Sequence, residues 1–178
     1  MGLRSRHGTD TVTLYAPLRG AFPMTRSGKT PFRYVFRVRY GECDAQQVVF
    51  NARYGDYTDQ AATEFLRAIG MDYRDLLERG LDNQVVKMTM EWQSPARFDE
   101  ILCAEVEAVH VGNTSYRLFI RFAESETRRA VATVETVYVM VTTDPWEKTP
   151  IPDDIRGKLE EGAPGLQLDQ SGTLGEQV

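Results

Sequence analysis

One change of hydrophobic period, close to residue 50, limits what this chain can fold into more than any other feature. From Phe32 to Tyr40 every even position is apolar, and Arg33, Arg37 and Arg39 lie among the odd ones, the two-residue alternation of a half-buried strand. From Tyr54 the apolar positions become Tyr54, Tyr57, Ala61, Phe65, Ala68 and Ile69, the stripe of a core-facing helix. Asn51 is placed to cap that helix, Asp56 sits in its opening turns where the dipole favours negative charge, and Gly70 offers a left-handed stop. A helix over 52–69 would run about 27 Å at 1.5 Å per residue, comparable to a long strand.

Strand signals follow. Val86, Met88, Met90 and Trp92 alternate with Lys87, Thr89 and Glu91; a proline segment, Ser94-Pro-Ala-Arg-Phe-Asp-Glu100, interrupts the pattern; and residues 101–111, 114–122 and 130–142 resume it, with Gly112-Asn113 as a turn. Long strands joined by short turns favour an antiparallel sheet, and one long helix after the first strand must cover its apolar face. The expected class is α+β: a curved antiparallel sheet of about five strands wrapped around one long central helix. A short helical piece, Tyr73 to Gly80, precedes the second strand, and residues 145–159 carry proline-spaced turns and a brief helix. Residues 1–30 read as a flexible arm, 31–160 as one folded domain and 161–178 as a flexible tail; Met24 is an alternative start.

A net charge of -5 gives no global positive field, so neither nucleic acid nor an anionic membrane is the expected partner. Cys43 and Cys103 are far apart and belong to no CxxC or Cys/His cluster, which points to a reducing, cytoplasmic setting and away from structural zinc. No apolar run approaches the roughly eighteen residues of a membrane span, and the first thirty residues lack a signal-like hydrophobic core.

The chemistry centres on Asp44, which the first strand delivers close to a helix N-terminus. Free backbone N–H groups and the partial positive charge at a helix start polarise a carbonyl or hold an oxyanion, and a nearby carboxylate supplies the attack. With a reference pKa of about 4, an aspartate that is not desolvated is ionised at neutral pH and needs no histidine to activate it. The plainer reading is a loop aspartate closing an Asx-turn.

Strand, Gly41-Glu-Cys-Asp44, then Val48-Val-Phe-Asn-Ala-Arg-Tyr54, then a helix carrying Glu64-Phe-Leu-Arg67 and Gly70: this order resembles the hotdog-fold acyl-CoA thioesterases of the 4-hydroxybenzoyl-CoA thioesterase type. The Pro-Ala-Arg turn at 95–97, Gly112-Asn-Thr-Ser-Tyr116 and Pro150-Ile-Pro-Asp-Asp-Ile-Arg156 extend the likeness over about 32–159. The resemblance implies that residues 31–160 form a hotdog thioesterase domain acting on acyl-CoA. It makes Asp44 the catalytic carboxylate, as nucleophile or as base for water, and gives the Asn51 backbone N–H to the carbonyl oxygen. It also implies dimers with sites at the interface, often paired into tetramers. No cofactor or metal is expected, coenzyme A being part of the substrate. Release of acyl or polyketide chains from a carrier protein, and a non-catalytic acyl-thioester binding module, are the alternatives.

Around that centre, Gln47, Val48, Tyr54, Thr114 and Ser115 are candidate substrate contacts. Each has a plainer role: Gln46 and Gln47 as exposed loop amides, where many relatives carry Gly-His or Gly-Gly; Tyr54 as core; Thr114 and Ser115 as strand-end hydroxyls. Arg128 and Arg129, with Arg97 and Lys148, are candidates for the nucleotide phosphates or else solvated turn residues. Glu64 and Asp59 on the helix are the rival carboxylates. Cys43 has no histidine partner, since His7 and His110 make no Cys/His arrangement with it, and no Gly-x-Ser-x-Gly elbow exists.

Overall fold

The computed structural model describes residues 13–14 and 28–172. In chain order these form β1 (Thr13–Leu14), β2 (Phe32–Arg37), a 3-10 turn (Tyr40–Glu42), α1 (Arg53–Ala68), α2 (Tyr73–Glu78), β3 (Leu81–Trp92), β4 (Ile101–Val111), β5 (Ser115–Glu124), β6 (Ala130–Thr142), α3 (Asp153–Glu161) and β7 (Leu166–Gln170). One sheet contains all the strands in the order β1-β7-β2-β4-β5-β6-β3. Every pairing is antiparallel except β2 with β7, which is parallel.

The sheet wraps α1. Rings from three of its strands meet the first turns of the helix: Phe36 of β2 lies 4.6 Å from Tyr57, Phe122 of β5 6.0 Å from Tyr54, and Trp92 at the end of β3 6.2 Å from Tyr54. Phe32 meets Phe65 at 6.0 Å about two turns further along. Tyr54, Tyr57, Ala61, Ala62 and Phe65 are buried, so the stripe read from the sequence is the face that packs. A ring buried in this way contributes roughly 1.5–3 kcal/mol relative to exposure.

The two ends of α1 are closed in different ways. The stop is as read: Gly70 adopts φ +70, and the Met71 N–H reaches back to the Leu66 carbonyl at 2.8 Å. The start differs. Ala52 occupies the N-cap and no side chain caps it, so Asn51 does not play that part. Instead a tightened turn closes the helix, with Arg53 N–H donating to Phe50 O at 2.8 Å and Gly55 N–H to Ala52 O at 3.1 Å.

The sheet has seven strands where about five were expected. The segment expected to be a loose tail, 161–178, contains the end of α3 and then β7, whose residues pair with Arg33 to Phe36. Only Leu166 and Leu168 carry its apolar alternation, too short a pattern to announce a strand. In the arm expected over 1–30, Thr13 and Leu14 pair with Gln167 and Leu166; Met24 and the rest of 1–27 lie outside the described residues. β3 also begins five residues earlier than its alternation suggested and bulges at Val86, between the pairs Val85–Tyr138 and Lys87–Val137. It lies at the margin of the sheet, and Val86 is 59% and Trp92 51% exposed.

Candidate active site

Between the 3-10 turn and α1 the chain makes a small hairpin over 42–50. Its base is closed by Phe50 N–H donating to Glu42 O at 2.9 Å, and its tip by Asp44 N–H to Val48 O and Gln47 N–H to Asp44 O, both at 2.9 Å. Cys43 pairs with Val49 in a bridge between these bonds. The hairpin is tied sideways to the loop before β4 by Val49 N–H donating to Ala96 O at 2.8 Å and by a Val48–Arg97 bridge.

Asp44 stands on this hairpin, half-buried. Its Oδ1 accepts from Gln46 N–H at 2.8 Å and from Val48 N–H at 3.5 Å, the Asx-turn of the plainer reading, which leaves Oδ2 uncommitted among the described residues. Seven residues on, where the hairpin enters α1, the backbone N–H groups of Asn51 and Ala52 donate to no described residue. One hairpin therefore presents an oriented carboxylate and, across its base, free donors at the positive end of a sixteen-residue helix.

The tip turns through Gln47, whose φ of +62 is unusual for a residue with a side chain. Its side chain is exposed, as is that of Gln46. Gln47→Gly relieves the left-handed backbone and returns part of the gain as unfolded-state entropy, so stability is expected to rise by about 0.5 kcal/mol, read from the urea midpoint. A lower midpoint would show that the side chain, not the backbone, holds the tip.

The other candidates separate by position. Val48 and Arg97 stay beside Asp44, with Arg97 exposed. Tyr54 is buried in the core with its hydroxyl against the Ala96 backbone, and burial pushes that hydroxyl up to about 12. Thr114 and Ser115 lie at the opposite end of the sheet: Ser115 pairs with Val139, whereas the loop beside the hairpin is held to Val131 through Gln93 N–H at 2.8 Å. Eight residues of strand at about 3.3 Å each put some 26 Å between the two ends. Lys148, bridged to Val141, is also at that far end.

Arg128 and Arg129 are engaged elsewhere. Arg128 reaches Glu105, a carboxylate on the outer face of the sheet only 2% exposed, at 3.4 Å, alongside Arg33 at 3.2 Å and Arg121 at 3.1 Å. Arg129 donates to Glu100 at 2.7 Å, to Ser94 Oγ at 2.7 Å and to the Pro95 carbonyl, which fixes the loop behind the hairpin. Both guanidinium groups thus neutralise buried or half-buried acids of their own chain. Removing Arg129 would take the counter-charge from Glu100, whereas Glu105 would keep Arg33 and Arg121 if Arg128 were lost.

Of the rival carboxylates, Glu64 pairs with Arg67 at 2.6 Å in the second half of α1, and Asp59 lines a separate cavity. That cavity, about 700 Å³, lies between α1, α2 and the first half of β3, and Thr63, Tyr73, Asn83, Val85 and Tyr138 contribute to it. Asn83, Val85 and Tyr138 had no signal in the sequence. Burial, followed by the Asp59 charge, pushes the Tyr138 hydroxyl up to about 12. Cys43 is no better a nucleophile: burial, then the Glu42 and Asp44 charges, raise its thiol above the ordinary value. Among the described residues no cluster of three or more His, Cys, Asp or Glu side chains is arranged for a metal.

Known proteins resemble this chain in both sequence and structure. The model of the thioesterase-like superfamily matches residues 38–159. The acyl-CoA thioester hydrolase YbgC of Escherichia coli is 31% identical over 134 residues, which is 74% of this chain and 98% of that protein. Among solved structures, a hypothetical protein from Aquifex aeolicus matches with a TM-score of 0.68 at 26% identity, over 72% of this chain and 99% of that one. A gentisyl-coenzyme A thioesterase matches with a TM-score of 0.65 at 24% identity, over 71% and 98%.

Proposed function

The chain belongs to the thioesterase-like superfamily and has its hotdog fold, and from that premise we propose that it hydrolyses an acyl-CoA to free acid and coenzyme A. The observation that carries the reading is the 42–50 hairpin, which holds Asp44 at its tip and the Asn51 N–H at its exit. Asp44 supplies the attack on the thioester carbon, through its own free oxygen or through a water that it deprotonates. The Asn51 N–H and the helix dipole stabilise the oxygen that becomes negative, and the carbon–sulfur bond breaks to release a thiolate, which takes up a proton; where Asp44 itself has attacked, water then cleaves the acyl–Asp44 anhydride to give the free acid and restore the carboxylate. Sulfur conjugates weakly with the carbonyl and leaves readily as thiolate, so orientation and electrostatics meet most of the chemical demand. Coenzyme A enters with the substrate, and no further cofactor takes part.

The active form is a homodimer, paired into a tetramer, and what supports this is the separation of site and cavity within one chain. The hairpin lies against the loop just beyond Trp92, at one end of β3, and the 700 Å³ cavity opens at the other end, beside Asn83 and Val85. β3 is a twelve-residue margin with exposed apolar side chains. Antiparallel pairing of two copies along it sets each hairpin beside the partner's cavity, whose volume suits an acyl group. No described helix is long and apolar enough to cross a membrane, and two unpaired cysteines, Cys43 and Cys103, suit a cytoplasmic enzyme.

The test is thiol release from a panel of coenzyme A thioesters, with the mass of the active species measured by light scattering. Turnover of at least one coenzyme A thioester by a dimer or tetramer is expected. Cleavage of carrier-protein thioesters alone would move the substrate to the carrier class. Thermal stabilisation by acyl-CoA without thiol release would make the chain a binding module, and an active monomer would overturn the shared site.

A further inference from the structure

Glu42 caps the 3-10 turn that it ends and also reaches across to the helix beyond the hairpin. Its backbone carbonyl closes the base of the hairpin by accepting from Phe50 N–H at 2.9 Å. Its side-chain Oε2 accepts from Arg39 N–H at 2.7 Å on the strand side and from the Tyr57 hydroxyl at 2.7 Å on the helix side. Tyr57 lies in the second turn of α1, is 1% exposed, and is locked by Phe36 at 4.6 Å and Tyr54 at 5.8 Å. Burial and the Glu42 charge push its hydroxyl well above the ordinary range, so it is a neutral donor throughout the working range of pH.

These bonds have a geometric consequence. Asp44 is two residues beyond Glu42, and Asn51 directly follows Phe50, to which Glu42 is bonded. A rigid helix residue therefore fixes the base of the hairpin, and the base fixes the carboxylate and the free amide relative to each other. We propose that Glu42, braced by Tyr57, is a positioning residue that sets the separation of the Asp44 carboxylate from the Asn51 N–H. The proposal rests on the thioesterase reading and adds to it two residues that act through Asp44 and Asn51. Their effect is on the barrier and not on binding: a reacting pair displaced by about 1 Å loses on the order of 100-fold in rate.

The experiment measures kcat, KM, affinity for a non-hydrolysable thioether analogue of the best coenzyme A thioester, and Tm. The variants are Tyr57→Phe, Glu42→Gln, Glu42→Ala, Asp44→Asn, and Glu42→Ala combined with Asp44→Asn. Tyr57→Phe keeps the ring and deletes one hydrogen bond, and it is expected to lower kcat about 10-fold with KM and thioether affinity within about twofold. Glu42→Gln retains an acceptor oxygen and keeps at least about a third of kcat, whereas Glu42→Ala loses on the order of 100-fold. In the Asp44→Asn background Glu42→Ala costs nothing more, because it acts through Asp44. Wild-type kcat in Tyr57→Phe and Glu42→Ala beside an inactive Asp44→Asn overturns the positioning role and leaves the thioesterase reading standing. Activity retained in Asp44→Asn overturns both. A loss in Glu42→Ala that is matched in thioether affinity, or that adds fully to the Asp44→Asn loss, shows a structural contribution only and overturns the proposal.

Discussion

Asp44→Asn is expected to lower kcat/KM for a coenzyme A thioester by at least about 100-fold, with almost no change in Tm. The two halves of that expectation have one origin. Gln46 N–H donates to Oδ1 at 2.8 Å, so an asparagine here is obliged to place its amide oxygen in that position and its NH₂ where Oδ2 stood. The Asx-turn survives, the hairpin keeps its shape, and the substitution removes only the oxygen left for attack. The loss then reports chemistry and not folding. Thiol release with and without the substitution, beside a thermal melt, checks it; near-wild-type turnover removes Asp44 from the mechanism.

Phe122→Ala is expected to destabilise the fold by about 3–5 kcal/mol and to lower Tm on the order of 10 °C. Phe122 is 1% exposed and stands where the sheet meets the opening of α1, with Phe36 at 6.5 Å, Tyr54 at 6.0 Å and Tyr57 at 6.4 Å. Ring neighbours that are themselves locked cannot close the cavity left behind, so the loss is more than the transfer free energy of the side chain. Trp146→Ala, on an exposed loop, is the control and should shift stability by less than about 0.5 kcal/mol. A loss under about 1 kcal/mol in Phe122→Ala would mean that the sheet and helix are less tightly joined here than their contacts imply.

The helix and the long strands were legible because their periods differ: the alternation at 32–40 and the stripe from Tyr54 to Ile69 leave little choice of architecture. β7 and the first part of β3 were not, since Leu166-Gln-Leu-Asp-Gln170 and Leu81-Asp-Asn-Gln-Val85 are too polar to show a face. Both owe their place to a partner strand. Asp44 and Asn51 stood out through the family order of motifs, yet the Asx-turn and the uncapped helix start are matters of backbone hydrogen bonding that no spacing reveals.

The placement of Thr114 and Ser115 was open to a simpler argument. In an antiparallel meander the connections alternate ends, so the turn after β4 must lie opposite both the loop before β4 and the end of β2 that leads to Asp44. Counting turns, with no side chain considered, separates them from the aspartate in the same chain. Arg128 and Arg129 are a different case: paired arginines look free until the acids they neutralise, Glu105 on β4 and Glu100 in the loop before it, are brought in. Glu42 was hidden in the same way, because its donor lies fifteen residues away on a helix.

The two margins of the sheet are very unequal: at one stands the twelve-residue β3, at the other the two-residue β1, which shields β7 and, behind it, β2. A strand can recruit a neighbour only along the length over which their backbones register. Were a second copy to dock along the long margin, the joined sheet would offer to the next, among the described residues, only β1 and the last three residues of β7 at each end. A sheet whose long apolar margin is used up in one such pairing, opposite a much shorter one, would be poorly suited to ribbon-like polymerisation.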